Sequence, residues 1–228
     1  MLIHSPRFKP GDTEHWRRMQ SLDARWCRTS AFARKVDRAH AALLTFVERH
    51  ESRCYVGVSW GKDSVVVAHM VMGLAPSVPM LHIEWPRRNP DSAQVEAACG
   101  IIGIKCKRYS PGDETTFAAD FAAARRVHGL PDAHISGVRA SESSQRAMRH
   151  RRWGELSPST CAPLSSWRAE DVFAYLYAHD LPIHPAYAMT LGGRLDRGRI
   201  RVDDIGDLAG SGVGRTEWER AYYPEFFT

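Results

Sequence analysis

The sequence predicts an α/β fold on a mostly parallel sheet, and three observations predict it. Short apolar runs alternate with longer helical stretches, the pattern of strand–helix–strand crossovers. The 228 residues, 43% hydrophobic and 25% charged, suffice for one globular core. The segments Ser59–Ser64, Glu84–Arg88 and Gly137–Arg139 fall at the carboxyl ends of predicted strands, where ligands bind in such sheets.

The N-terminal stretch from Thr13 to His50 reads as two helices. Asp12 or Thr13 caps the first, which spaces Trp16, Met19, Leu22 and Trp26 along one side. The second, from about Ser30, gathers Phe32, Val36, Ala39, Leu43, Phe46 and Val47 on one face, opposite Arg34, Lys35, Arg38 and Glu48. A strand signal follows at Cys54–Val58, then a helix from Lys62 to Leu74. A second apolar run covers Met80–Trp85, broken by Pro86 and Pro90, and a helix covers Asp91–Ile102. Gly103 introduces a third strand, Ile104–Tyr109, before a helix from Thr115 to His128. Ala133–Val138 is the fourth strand. Polar helix Ser141–His150 and a helix from about Arg168 to His179 complete the regular structure, and 192–214, rich in glycine and charge, reads as a loop. The expected units are a helical extension over 1–50, a nucleotide-binding domain over 51–187 and a C-terminal loop and tail over 188–228.

The net charge of +5 suits a polyanionic ligand but names none. The five cysteines, Cys27, Cys54, Cys99, Cys106 and Cys161, are odd in number and form no C-x-x-C pair, which argues against a disulfide framework or a local zinc or iron–sulfur site. No signal-like or membrane-spanning apolar run is present, so the expected compartment is a reducing cytoplasm with no membrane partner.

Ser59-Trp60-Gly61-Lys62-Asp63-Ser64 joins a strand to a helix. Small residues let backbone approach an anion, and the first N–H groups of a helix have no internal partner and point at it. Ser59 and Ser64 add hydroxyl donors and Lys62 a point charge; Asp63 suits a magnesium ion or a helix cap. It is not a Walker A loop, because Gly57 stands one residue too close to Gly61 and Asp63 intervenes before Ser64.

This segment resembles the S-G-G-K-D-S loop of the ATP pyrophosphatase (PP-loop) superfamily, with Trp60 in place of the second glycine. Three further segments narrow the resemblance to its phosphoadenosine phosphosulfate reductase family. Gly137-Val138-Arg139-Ala140-Ser141-Glu142-Ser143-Ser144-Gln145-Arg146 is similar to that family's G-[LV]-R-x-x-E-S-x-x-R segment. Pro163–Val172 is similar to P-L-x-x-W-x-x-x-D-[VI], and Leu181–Tyr187 to L-P-x-x-P-L-Y. The resemblance implies a Rossmann-like three-layer sandwich of the adenine nucleotide α-hydrolase type. It implies that Ser59, Trp60, Gly61, Lys62, Asp63, Ser64, Gly137, Arg139 and Arg146 surround the phosphates of ATP or an adenylylated substrate. Lys62, Asp63 and Arg139 are then the catalytic candidates, with Asp63 a ligand for Mg2+. Arg139 and Arg146, seven residues apart, can share a helix face, and guanidinium groups suit phosphate or sulfate.

Several features depart from the family pattern. Glu84-Trp85-Pro86 replaces a D-T-G-like strand end; Glu84 is read either as a magnesium or ribose contact or as a sheet-end carboxylate without special role. The reductases' C-terminal E-C-G-L-H-type cysteine has no counterpart in the tail Tyr222–Thr228. Cys161, the one cysteine beside matched segments, is read either as an attacking thiolate or as a small buried residue. Three functions are carried forward. The first is an ATP pyrophosphatase-type enzyme that adenylylates an acceptor for sulfur transfer from a donor protein, nucleic-acid thiolation or phosphorothioation being what the family's relatives suggest. The second is a sulfonucleotide reductase. The third is a non-catalytic nucleotide-binding subunit with the aromatic tail 218–227 as its docking surface.

Overall fold

The structure, a computed structural model, describes residues 1–85, 88–112, 116–202, 205 and 215–227. Strands β1 (Tyr55–Val58), β2 (Met80–Ile83), β3 (Lys107–Tyr109), β4 (His134–Ile135) and β5 (Thr160–Cys161) form one parallel sheet in the order β3-β2-β1-β4-β5. The helices are α1 (Asp12–Trp26), α2 (Ser30–Arg49), α3 (Lys62–Leu74), α4 (Ser92–Ile101), α5 (Phe117–His128), α6 (Ser144–Trp153), α7 (Ala169–Ala178) and α8 (Arg215–Tyr222). The α/β class expected from sequence is the one found. The strand order reverses between β1 and β4, and the carboxyl ends there form the crevice such sheets use for ligands.

Alternation along the strands separates two apolar layers. Val56, Val58 and Met80 join the large core with residues of α2, α3, α4 and α7, whereas Tyr55, Leu81 and Ile83 turn to the other face and pack with Ala124 of α5. The N-terminal helices are no appendage. Trp16 of α1 and Phe32, Leu43 and Phe46 of α2 are buried in the same cluster as the central strands. Arg197 ties α1 to the chain after α7 by a bidentate, fully buried pair with Asp23, its guanidinium 4.0 Å from the Phe173 ring centroid.

Several boundaries differ from expectation for physical reasons. Gly11, at φ 86°, precedes α1, and Asp12 is not its cap. The buried Asp12 carboxylate instead accepts from the Lys9, Thr190 and Gly192 N–H groups and the Tyr222 hydroxyl, joining the two ends of the described chain. The third and fourth strands are shorter than their apolar runs. β5 has no sequence signal: it is two residues long, between Pro158 and Pro163. The expected helix Ser141–His150 is divided, with a 3-10 turn over Ala140–Glu142, an extended Ser143 and then α6. Pro86, Thr115 and most of the expected loop after 202 lie outside the described residues. No described helix is long and apolar enough to cross a membrane.

Candidate functional site

The site lies where the loops after β1 and β4 meet. β1 ends at Val58, and four residues later α3 begins with Lys62, so the first N–H groups of α3 face the carboxyl edge of the sheet. Trp60 carries φ 60°, a conformation glycine adopts without strain. Its indole is 1% exposed and packs at 5.4 Å against His82, so only its backbone faces the loop. Ser64 Oγ accepts from the Ser59 N–H at 3.1 Å and donates to the Gly61 carbonyl at 2.9 Å, which draws the loop into a closed turn.

Lys62 is 4% exposed, and its Nζ meets Asp63 Oδ2 at 2.8 Å and lies 5.0 Å from the Tyr187 ring centroid. The other carboxylate oxygen, Oδ1, accepts from Arg139 Nε at 2.6 Å. Arg139 is 3% exposed and reaches across from the loop after β4. Its Nη2 meets Glu142 Oε1 at 3.4 Å, and Glu142 also takes the Arg139 N–H at 3.1 Å and the Arg146 guanidinium. A continuous chain of charge results: Lys62, Asp63, Arg139, Glu142, Arg146. The two arginines do not share one helix face, because Ser143 interrupts the helix between them; they converge through Glu142.

Gly137 is what lets the two loops touch. A Cβ there would sit 2.7 Å from the Asp63 carbonyl carbon and 2.9 Å from Ser64 N. Only a residue without a side chain fits, and the need is for close approach, since its φ is not positive. Tyr187, from the 3-10 turn Pro185–Ala188, accepts the Lys62 N–H on its hydroxyl at 3.1 Å. Glu142 and Tyr187 were not among the sequence candidates, although both stand in the segments that carried the resemblance; nothing in spacing alone singles them out.

Two candidates sit elsewhere. Glu84 is at the end of β2, its carboxylate 3.0 Å from Arg88 Nη1, in an ion-pair group with Glu96 and Arg108 rather than at the loop. Cys161 is 0% exposed in β5, and burial pushes its thiol up to about 12. A buried, protonated thiol is no nucleophile, so the attacking-thiolate expectation gives way to that of a packed core residue.

Both Asp63 oxygens face cations, and no group of three or more His, Cys, Asp or Glu side chains that could hold a metal occurs among the described residues, so a magnesium ion here would need phosphate oxygens as well as Asp63. The arrangement gathers the α3 N-terminus, one ammonium and one guanidinium around Asp63, with a second guanidinium linked through Glu142, a combination suited to phosphate.

The phosphoadenosine phosphosulfate reductase domain matches residues 53–208. An adenosine 5′-phosphosulfate reductase of Salinibacter ruber (strain DSM 13855 / M31) is 23% identical, the match covering 58% of this chain and 61% of that protein. The chain thus spans about three fifths of that relative's length. A phosphoadenosine 5′-phosphosulfate reductase of Xanthomonas axonopodis pv. citri (strain 306) is 22% identical, over 72% of this chain and 75% of that one. Among solved structures, Candida glabrata FMN adenylyltransferase superposes with a TM-score of 0.54 at 14% identity, covering 76% of this chain and 67% of that one; this likeness is one of fold. With the domain match spanning more than half the chain, and the phosphate loop and arginine segment both inside it, the protein belongs to the phosphoadenosine phosphosulfate reductase domain family.

Proposed function

We propose that the protein binds ATP and transfers its adenylyl group to an acceptor, activating that acceptor for sulfur transfer. The observation that carries this reading is the convergence of the α3 N-terminus and Lys62 with Arg139 over Gly137. An acceptor oxygen attacks the α phosphorus, the bond to the bridging oxygen breaks, and pyrophosphate leaves with that electron pair. The chain's own part is to hold the departing negative charge. Helix N–H groups, Lys62 and Arg139 are fixed before reaction and shielded from water, the condition under which such donors are most effective. Asp63, between Lys62 and Arg139, orients both cations in the resting state, and phosphate oxygens take over its role when they bind. Fold-level kinship supports nucleotide chemistry: the Candida glabrata adenylyltransferase has been solved with FMN and the ATP analogue AMPCPP.

The test is incubation of the purified protein with α-labelled ATP, with and without candidate acceptors, followed by separation of AMP, pyrophosphate and adenylylated product. Acceptor-dependent pyrophosphate release is expected, with Lys62→Ala lowering it by at least about 10²-fold, the typical effect of losing one charge-stabilising donor. Unchanged release in Lys62→Ala sinks the mechanism.

A second reading, sulfonucleotide reduction, is favoured by the activities of the two reductase relatives. It requires a reactive thiol, and burial disfavours Cys54, Cys99 and Cys161 for that part. Sulfite release from an adenylylated sulfate in the presence of a reducing partner would select it. Tight ATP binding without any turnover would instead select a non-catalytic nucleotide-binding subunit.

A further inference from the structure

Beyond Arg146, α6 takes no part in the phosphate site, yet it holds most of the chain's excess charge. Of the net +5, four positive charges sit on this helix as Arg146, Arg149, Arg151 and Arg152, and Ser144–Trp153 contains no carboxylate. The acidic side chains that flank it in sequence are already engaged, Glu142 by Arg139 and Arg146, and Glu155 by Arg38. Arg149, Arg151 and Arg152 are exposed and have no carboxylate partner among the described residues. A patch so uncompensated attracts a polyanion.

Aromatic surface accompanies the charge. Trp153 is 43% exposed, and the Arg152 guanidinium lies 4.9 Å from the Trp153 ring centroid. Arg146, Arg149 and Trp153 follow at i, i+3 and i+7, with Arg152 beside them at i+6, so the four share one face of α6, and Arg151 lies off it. This face begins at the Glu142–Arg139–Asp63 chain and runs outward for about 15 Å, the length of ten helical residues. It borders a cavity of about 30 Å³, lined on its far side by Ser136, Thr160 and Ser165. That volume admits water but no aromatic ring, so a ligand of any size lies along α6 rather than inside.

We propose that this face docks a single-stranded nucleic acid, its phosphates on Arg149 and Arg152 and an unpaired base on Trp153. The inference rests on the reading above, because it makes the strand the acceptor whose reacting group reaches the phosphate loop. A strand with free bases satisfies both the guanidiniums and the exposed indole. An acidic peptide satisfies only the former, and a duplex keeps its base faces stacked away from Trp153.

The experiment measures fluorescence anisotropy of a labelled single strand of about 12 nucleotides, within the usual site size of such surfaces, with full-length protein and no ATP. Binding is expected, with Arg149→Ala/Arg152→Ala weakening it about tenfold and reducing the log–log salt slope by about 1.4, two phosphates' worth. Trp153→Ala should weaken it about tenfold while leaving the salt slope intact. ATP binding should be unaltered in both variants. Wild-type affinity in either variant, tighter binding of the corresponding duplex, or equal binding of heparin would overturn the proposal. Strand binding by the wild-type protein with no pyrophosphate released from ATP in the strand's presence would refute the adenylylation reading and leave the docking surface standing.

Discussion

Replacing Gly137 with alanine tests how the phosphate loop is held. The added methyl would lie 2.7 Å from the Asp63 carbonyl carbon and 2.9 Å from both the Asp63 oxygen and Ser64 N. Ordinary contact begins near 3.4 Å, so the loops after β1 and β4 must part by roughly 0.7 Å, and the atoms in the way are backbone, which cannot rotate aside. Overpacking of this kind costs about 1–3 kcal/mol. The displacement also pulls Arg139 from Asp63 and shifts the α3 N-terminus, and misplacement on the order of 1 Å can lower turnover by about 10²-fold. The matched control is Gly73→Ala within α3, where a Cβ meets nothing within 4 Å; it should gain about 0.5–1 kcal/mol. Urea melts of the two variants beside ATP titrations give both readouts. If Gly137→Ala melts with the wild-type protein and binds ATP unchanged, close approach at this glycine does not govern the site.

Arg197→Ala leaves Asp23 buried without its partner and should cost about 3–5 kcal/mol in a urea melt. Under native conditions an aromatic disulfide reagent should label the half-buried Cys27 and leave Cys161 untouched until the protein unfolds, as read by mass spectrometry. Cys161→Ala should retain wild-type turnover in the same assay. Burial pushes His184 down to about 3, and its Nδ1 accepts the Ala186 N–H, so the folded state holds it neutral. The unfolded chain takes up the proton near pH 6.5 and the native state does not, so this residue's contribution is complete above that pH and declines toward pH 3. The slope is at most about 1.4 kcal/mol per pH unit, and denaturant melts of His184→Gln across that window should show a flatter acid limb.

The strand-to-helix junction at Ser59–Ser64 was legible because a chemical pattern coincided with a switch of periodicity: an apolar run, then the loop, then a helix from Lys62. The reversal point of the sheet was not, since β5 is two residues long and carries no pattern. The separation of Arg139 from Arg146 by Ser143 was also hidden. Ser143 reads as an ordinary helical position, yet it takes an extended backbone and its hydroxyl accepts from Arg146 N, so the helix starts after it. Trp60 illustrates another limit. Nothing in the sequence says where the Trp60 ring goes; with a left-handed backbone it is buried and packs against His82. Similarly, the amphipathic stripe of α2 predicted a buried face without saying against what; the answer is the same core as β1, which packs α1 and α2 with the sheet.

The brevity of β4 has a consequence for how the protein comes into being. Two residues of strand, paired to β1 on one side and β5 on the other, fix the course of the chain that leads to Arg139. β1, β2 and β3 can pair through near-neighbour crossovers, creating the phosphate loop without its arginine. The arginine is placed only where the later residues pair at the β1 edge, so the site is complete only when both halves of the sheet have formed. A nucleotide that bridges both halves has no affinity for the half-built sheet, and at a hundredfold excess over its dissociation constant it would add about 2.7 kcal/mol to the completed fold. In hydrogen exchange, its binding should slow the amides of 134–139 more than those of the β2–β3 pair, marking β4 as the strand the ligand secures.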